Sequence, residues 1–226
     1  MNVRKVFKKR VTLSNRILFI YGIAFLYIFF AENAQASSQD TINELDEDFH
    51  ILFLISPKDS IDIINKYKIN SERYLSLFKE ILNSNEFDDN IIYNIIYLSG
   101  ILKENRVCNE VIKLSDLESK KFKEVKSFYF YRINVDKMKH LNVLKKQLES
   151  LVDHPTDSYL ITYLAFMENL NFSLKYLDRL YDKSDGIIGE LVSWTINYLY
   201  FNNQENAQAV GMILKARCSS LIDNIE

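Results

Sequence analysis

The stretch 89-DNIIYNIIYLSGILKENRVCNEVIK-113 reads as a long amphipathic helix, a tight turn at Glu104–Asn105 and a shorter helix folded back on the first. The same unit recurs downstream. Taking Asp89, Asp157 and Asp185 as starting marks, offset +2 gives Ile91, Tyr159 and Ile187, and +3 gives Ile92, Leu160 and Ile188. Offset +6 gives Ile95, Tyr163 and Leu191, and +7 gives Ile96, Leu164 and Val192. At +9 stand Leu98, Phe166 and Trp194, and at +13 Leu102, Leu170 and Tyr198. These spacings put one broad apolar face on a 3.6-residue helix, whereas a strand would alternate.

A further unit starting at Phe122 matches all but one offset with Val125, Phe128, Tyr129, Tyr131 and Val135. Successive starts then lie 33, 35 and 28 residues apart, a range in which self-similarity signals stacked helix pairs. An upstream start at Lys58 matches only Ile61, Ile64 and Tyr67 and reads as an atypical end cap.

The Asp mark, the paired apolar positions, the turn, and a shorter helix closing on an apolar pair and Asp (Ile112 to Asp116, Tyr176 to Asp178) resemble HEAT-type repeats over roughly residues 58–222. The Arg that usually follows the paired start is absent from every copy, and so is the tetratricopeptide pattern of small residues with a closing Pro. The resemblance implies an all-α fold, a curved α-solenoid of helix-turn-helix repeats used for binding macromolecules, with the shorter helices on the concave side. It implies no chemistry.

The N-terminal 36 residues are of a different kind. Arg4, Lys5, Lys8, Lys9, Arg10 and Arg16 precede an apolar run from Ile17 to Ala31, which Ala34-Gln35-Ala36 follows. A basic region, a short apolar core and an A-x-A site make a secretory signal peptide, with cleavage expected after Ala36. Fifteen residues at about 1.5 Å each fall short of the roughly 30 Å hydrocarbon core, so a retained membrane anchor is the weaker alternative. No Cys follows the site, which leaves no lipoprotein anchor. The expected destination is the periplasm of a bacterium, or beyond, and residues 37–226 form the α-helical repeat domain.

Charge supports a binding role and argues against nucleic acid. Without residues 1–36 the chain has 22 bases and 29 acids, a formal charge of −7. Residues 111–150 nevertheless hold ten bases against five acids, a basic island between acidic flanks. On this island Phe128, Tyr129 and Tyr131 occupy core offsets, and Phe130 lies off them and is expected to be the exposed ring. The following shorter helix carries Lys137, Lys139, Lys145 and Lys146, an expected docking strip for a protein partner with an acidic patch.

Helices are predicted over 41–55, 57–67, 72–83, 88–103, 106–114, 116–134, 137–152, 156–169, 172–182, 187–201 and 204–222. Ser56-Pro57-Lys58-Asp59 supplies a cap, a Pro at the first helical position and an acid at the positive helix end. Pro155 separates two helices, Asp185-Gly186 marks a turn, and Ser115-Asp116-Leu117-Glu118 reads as a capping box.

Motifs for chemistry are missing. His50, His140 and His154 lie in different repeats, with no carboxylate or second histidine at ligand spacing, so no metal site is expected. No G-x-S-x-G elbow is present, and five glycines cannot build a phosphate cradle; no catalytic residue and no cofactor are expected. Cys108 and Cys218 stand about three repeats apart, too far for a disulfide in an array whose units touch only neighbours, and are expected to stay reduced and largely buried. Their pairing would instead mark a compact closed bundle.

Two functional readings follow. One is an exported protein-binding module, an immunity protein or an assembly adaptor for an envelope-acting partner, with no enzyme activity. The other is an envelope enzyme or a small-ligand or glycan binder whose site converges from several helices, for which Glu168, Glu190 and Asp178 are the candidate carboxylates.

Overall fold

A computed structural model describes residues 40–49, 52–53, 57–84, 87–114, 119–154, 159–181, 186–202 and 210–212. All regular structure among the described residues is helical, with no strand. The signal peptide with its Ala36 site, Ser56, the Ser115–Glu118 capping box, Pro155, Asp157, Asp185, His50, Cys218 and nearly all of the predicted 204–222 helix lie outside the described residues. The chain divides into two units, 1–45 and 46–226. Of the first, residues 40–45 are described, and they are helical.

The second unit runs α1 Pro57–Ile69, α2 Ser71–Asn83, α3 Asp89–Leu102, a 3₁₀ turn Asn105–Val107, α4 Cys108–Lys113, α5 Lys120–Arg132 and α6 Lys137–Asp153. It continues with α7 Leu160–Tyr163, a 3₁₀ turn Leu164–Phe166, α8 Leu170–Tyr181 and α9 Gly186–Asn202. The local chemistry explains several ends. Asp88 caps α3 by accepting from the Asn90 N–H at 2.6 Å. At its other end Lys103 adopts the left-handed conformation (φ 56°), and the Glu104 N–H returns to the Ser99 carbonyl at 2.8 Å. α5 starts at Lys120, later than the predicted 116, with Ser119 as its N-cap. It ends through Asn134 (φ 62°), where the Val135 N–H bonds the Phe130 carbonyl at 3.0 Å.

The repeat offsets translate into burial with one systematic limit. Offsets +3, +6, +7 and +9 are buried in all the downstream units, from Ile92, Ile95, Ile96 and Leu98 to Ile188, Leu191, Val192 and Trp194. The outer offsets +2 and +13 are not uniformly so: Ile187 is 57% exposed, and Val135 is 38% exposed because it lies in the turn after α5. The predicted 156–169 helix is broken. α7 passes into a 3₁₀ turn, and Met167 is extended (φ −70°, ψ 142°). The carbonyls that would continue it are taken from outside, Leu164 O by the Ser173 hydroxyl at 2.7 Å and Phe166 O by Arg132.

α3 departs further from expectation. Every residue from Ile92 to Ile101 is buried, including Asn94, Ser99 and Gly100, so this is a helix covered on all sides rather than an amphipathic one. A Cβ on Gly100 would stand 2.7 Å from the Phe128 ring and 3.3 Å from the Tyr129 Cα, which shows how closely α5 crosses it.

The first helices of the units pack in cyclic order. α3 lies on α5, α5 meets α7 through the Phe128–Tyr163 stack (4.5 Å), and α7 meets α9, where the Thr195 hydroxyl faces the Ile161 carbonyl at 3.5 Å. α9 then returns to α1: the Trp194 indole N–H donates to the buried Ser60 hydroxyl at 3.3 Å, across 134 residues. α1 packs on α3 and completes the cycle. In an open array each unit touches only its neighbours. Here the first unit touches the last, and the expectation of neighbour-only contacts does not hold within this unit of the chain.

Aromatic bulk explains the closure. Tyr97 of α3 meets Phe49, Phe53, Phe128, Tyr163 and Phe166, with ring centroids 4.8 to 6.4 Å apart. Its hydroxyl pairs with that of Thr162 at 2.5 Å, and the Tyr93 hydroxyl pairs with that of Tyr163 at 2.8 Å, so the buried phenols are satisfied. Rings of this size from several helices fill a shared interior, and a flat row of helix pairs would leave them on a surface. The first helices of the units therefore face inward. α6, the second helix of its unit, has 17 residues and is not the shorter partner the sequence suggested, and its exposed face points away from the first helices rather than lining an inner side.

Candidate functional site

The expected docking residues separate into two groups. Lys139, Lys145 and Lys146 are exposed on one face of α6, and none of them bonds a carboxylate among the described residues. Met138 shares this face and is 66% exposed. Lys137 is committed elsewhere: its ammonium bonds Glu168 and lies 5.2 Å from the Tyr131 ring centre. Phe130 is the one ring of the 128–131 run that is not buried, although it is only half-exposed because it packs against His140 at 5.0 Å. Burial, reinforced by the charge of Lys139, lowers the His140 pKa, so its imidazole is neutral at physiological pH.

A second feature was not legible in the sequence. Residues at the C-terminal ends of the inner helices come together and line a cleft of about 370 Å³. Each inner helix contributes: Ile64 and Lys68 from α1, Ile101 from α3, Arg132 from α5, Phe166 from the 3₁₀ turn after α7 and Tyr198 from α9.

Arg132 is the central group of this cleft. Its Nε donates to the Gly100 carbonyl at 3.1 Å, Nη2 to the Ile101 carbonyl at 3.3 Å, and Nη1 to the Phe166 carbonyl. These carbonyls stand at helix ends, where a cation is favoured; the Gly100 carbonyl also accepts the Lys103 N–H at 3.2 Å. Burial lowers the guanidinium pKa, while Glu168 and the nearby phenols oppose that shift; the group stays charged at neutral pH.

Glu168 is the one carboxylate lining the cleft among the described residues. It accepts from Lys137 and, at 2.9 Å, from Lys103, and these two bonds bring its pKa down to about 2. A carboxylate so held is ionised at neutral pH and cannot act as a general acid. Asp178 and Glu190 are exposed and do not line the cleft, so the three candidate carboxylates of the enzyme reading are not gathered there. Burial raises the Tyr198 phenol, across the cleft, to about 12, which keeps it neutral.

Among the described residues no group of three His, Cys, Asp or Glu side chains is placed to hold a metal ion, and no helix is long and apolar enough to cross a membrane. Cys108 is a free, half-buried thiol whose pKa is raised by burial. Comparison of this chain with protein-family models, with curated proteins and with solved structures finds no match.

Proposed function

We propose that this chain is an exported helical-repeat module that binds an acidic protein surface through the outer face of α6. One observation carries the reading. Lys139, Lys145 and Lys146 stand exposed along one helix face beside exposed Met138, with no carboxylate bound to any of them among the described residues. Several other long cations are paired at short range, Lys66 with Asp48 (2.5 Å), Lys103 with Glu168 (2.9 Å) and Arg179 with Glu149 (2.6 Å), whereas α6 gathers three unpaired ones on one face. A basic helix face left without counter-charges steers an acidic partner and sets its register, and an apolar side chain among the lysines adds area to bury.

Export rests on the basic N-terminal region, the apolar run and the Ala34-Gln35-Ala36 site. The partner class is accordingly an envelope protein, with neutralisation of an effector or assembly of a complex as the roles such a module serves. The repeat character rests on the shared burial of offsets +3, +6, +7 and +9, in an array of the HEAT-like kind whose ends have met.

The test is retention of an envelope protein on the immobilised chain at low and high salt. A retained acidic protein that is released by salt, and lost when Lys139→Glu and Lys146→Glu are combined, supports the reading. Retention that survives the double reversal overturns the assignment to α6.

A further inference from the structure

We infer that the cleft at the C-terminal ends of the inner helices binds a small organic carboxylate, with its acid group on Arg132 and its apolar part against Ile64, Ile101 and Phe166. This inference is independent of the α6 surface and does not require a protein partner.

Three observations converge on it. The first is the unused hydrogen-bonding capacity of a half-buried cation. A guanidinium has five N–H donors, and among the described residues Arg132 directs three of them at carbonyls and none at a carboxylate. The carbonyls carry only partial charge, and Glu168 acts on the guanidinium through space without a hydrogen bond to it. The second is that this acid is engaged elsewhere. Glu168 is already shared between Lys103 and Lys137, and Lys68 adds a further exposed cation at the rim. Among the described residues that line the cleft, Arg132 and Lys68 are positive and Glu168 is negative, a formal excess of one positive charge, and Lys103 and Lys137 reach Glu168 from outside the lining. The third is shape. About 370 Å³ lies within the range of sites for small molecules, and the surface exposed in the cleft is mainly polar, with Ile64, Ile101 and Phe166 from separate helices adding a smaller apolar part beside the charged fork. A planar fork with free N–H groups matches a carboxylate bidentately.

The competing ligand class is a cation, because the negative ends of several helices point at the cleft. Arg132 already occupies that position, and the formal positive excess of the lining opposes a second cation there.

The experiment uses the intact chain and three probes of one shape: benzoate, benzamide and benzylammonium, titrated at low ionic strength and followed by ligand-observed NMR. Benzoate is expected to bind at least tenfold more tightly than benzamide, with no detectable binding of benzylammonium. Lys68→Glu, on an exposed residue, is expected to weaken benzoate about fivefold or more, whereas Lys113→Glu, an equal charge change outside the cleft, leaves it unchanged. Arg132→Lys keeps the charge but removes the fork and is expected to abolish benzoate selectivity. Should that variant fail to fold, Lys68→Glu against Lys113→Glu decides. Equal binding of benzoate and benzamide, preference for benzylammonium, no binding of benzoate, or equal effects of the two Lys→Glu changes would each overturn the inference.

Discussion

Replacing Trp194 by Ala should remove the contact on which the cyclic packing depends. The indole is 5% exposed, and its ring meets Phe53 edge-on at 4.8 Å, stacks on Tyr198 at 5.1 Å and reaches Phe166 at 6.5 Å. Its N–H is also the donor to Ser60, whose own hydroxyl proton goes to the Leu52 carbonyl at 2.7 Å. Truncating a buried aromatic of this size costs about 3 to 5 kcal/mol in transfer and cavity terms. Trp194→Phe separates the parts. It keeps most ring contacts, loses the N–H, and should cost about 1 to 2 kcal/mol, the sum of a modest hydrogen bond and a partial cavity. Tyr200→Ala, on an exposed neighbour in the same helix, should stay within about 0.5 kcal/mol. The assay is urea unfolding followed by far-ultraviolet circular dichroism, because Trp194 is the only tryptophan and cannot report on its own removal. If Trp194→Ala and Tyr200→Ala unfold at the same urea concentration, α9 does not pack against α1 and the cyclic order is wrong.

Three further substitutions test separate parts of the packing. Gly100→Ala places a methyl 2.7 Å from the Phe128 ring, itself stacked on Tyr163, so about 1 to 3 kcal/mol of overpacking should exceed the gain of roughly 1 kcal/mol in helix propensity; the variant melts lower than wild type. Ser173→Ala leaves the Leu164 carbonyl without its donor in a buried place and should cost about 1 to 3 kcal/mol in a urea midpoint measurement. Glu168→Gln probes pH dependence. The folded carboxyl titrates at about 2, below its unfolded value, so its stabilisation is present above the ordinary carboxylate range and is lost as pH falls toward 2. Because Glu168 is more than a third exposed, solvent screening holds the effect to about 1 kcal/mol. The wild-type advantage over Glu168→Gln in thermal melts should be present at pH 7 and shrink steadily below about pH 4.5, and an advantage that grows on acidification would contradict the pairing.

The helices were legible because their apolar offsets repeat, and α3, α6 and α9 follow their predicted spans within a residue or two. What failed was the inference from local period to global arrangement. Periodicity reports which side of a helix is buried, and it is silent about whether the last helix meets the first. The signal for closure lay in residue size: Tyr93, Tyr97, Phe128, Tyr163, Phe166 and Trp194 are too many large rings for one thin layer between neighbouring pairs. The break at Leu164–Phe166 escaped notice because its causes, Ser173 and Arg132, sit 9 and 34 residues away in sequence. For the same reason Arg132 was read only as part of a basic island. The contacts of Lys137 and Phe130 could not be read from the sequence because their partners, Glu168 and His140, come from other elements. Lys139, Lys145 and Lys146 needed only the helical period of α6 to be placed on its outer face.

The cyclic order of the inner helices places Arg132 and the cleft where they are, and it can be measured as one distance. Spin labels at Lys58 on α1 and Glu190 on α9, both exposed, report the separation of the first and last units by pulsed electron resonance. Adjacent packed helices lie about 8 to 10 Å apart, so labels on touching α1 and α9 should give a narrow distribution below about 25 Å. An open row with α3, α5 and α7 lying between them would separate the labels by roughly 35 to 40 Å, and a distribution centred there would contradict the closure.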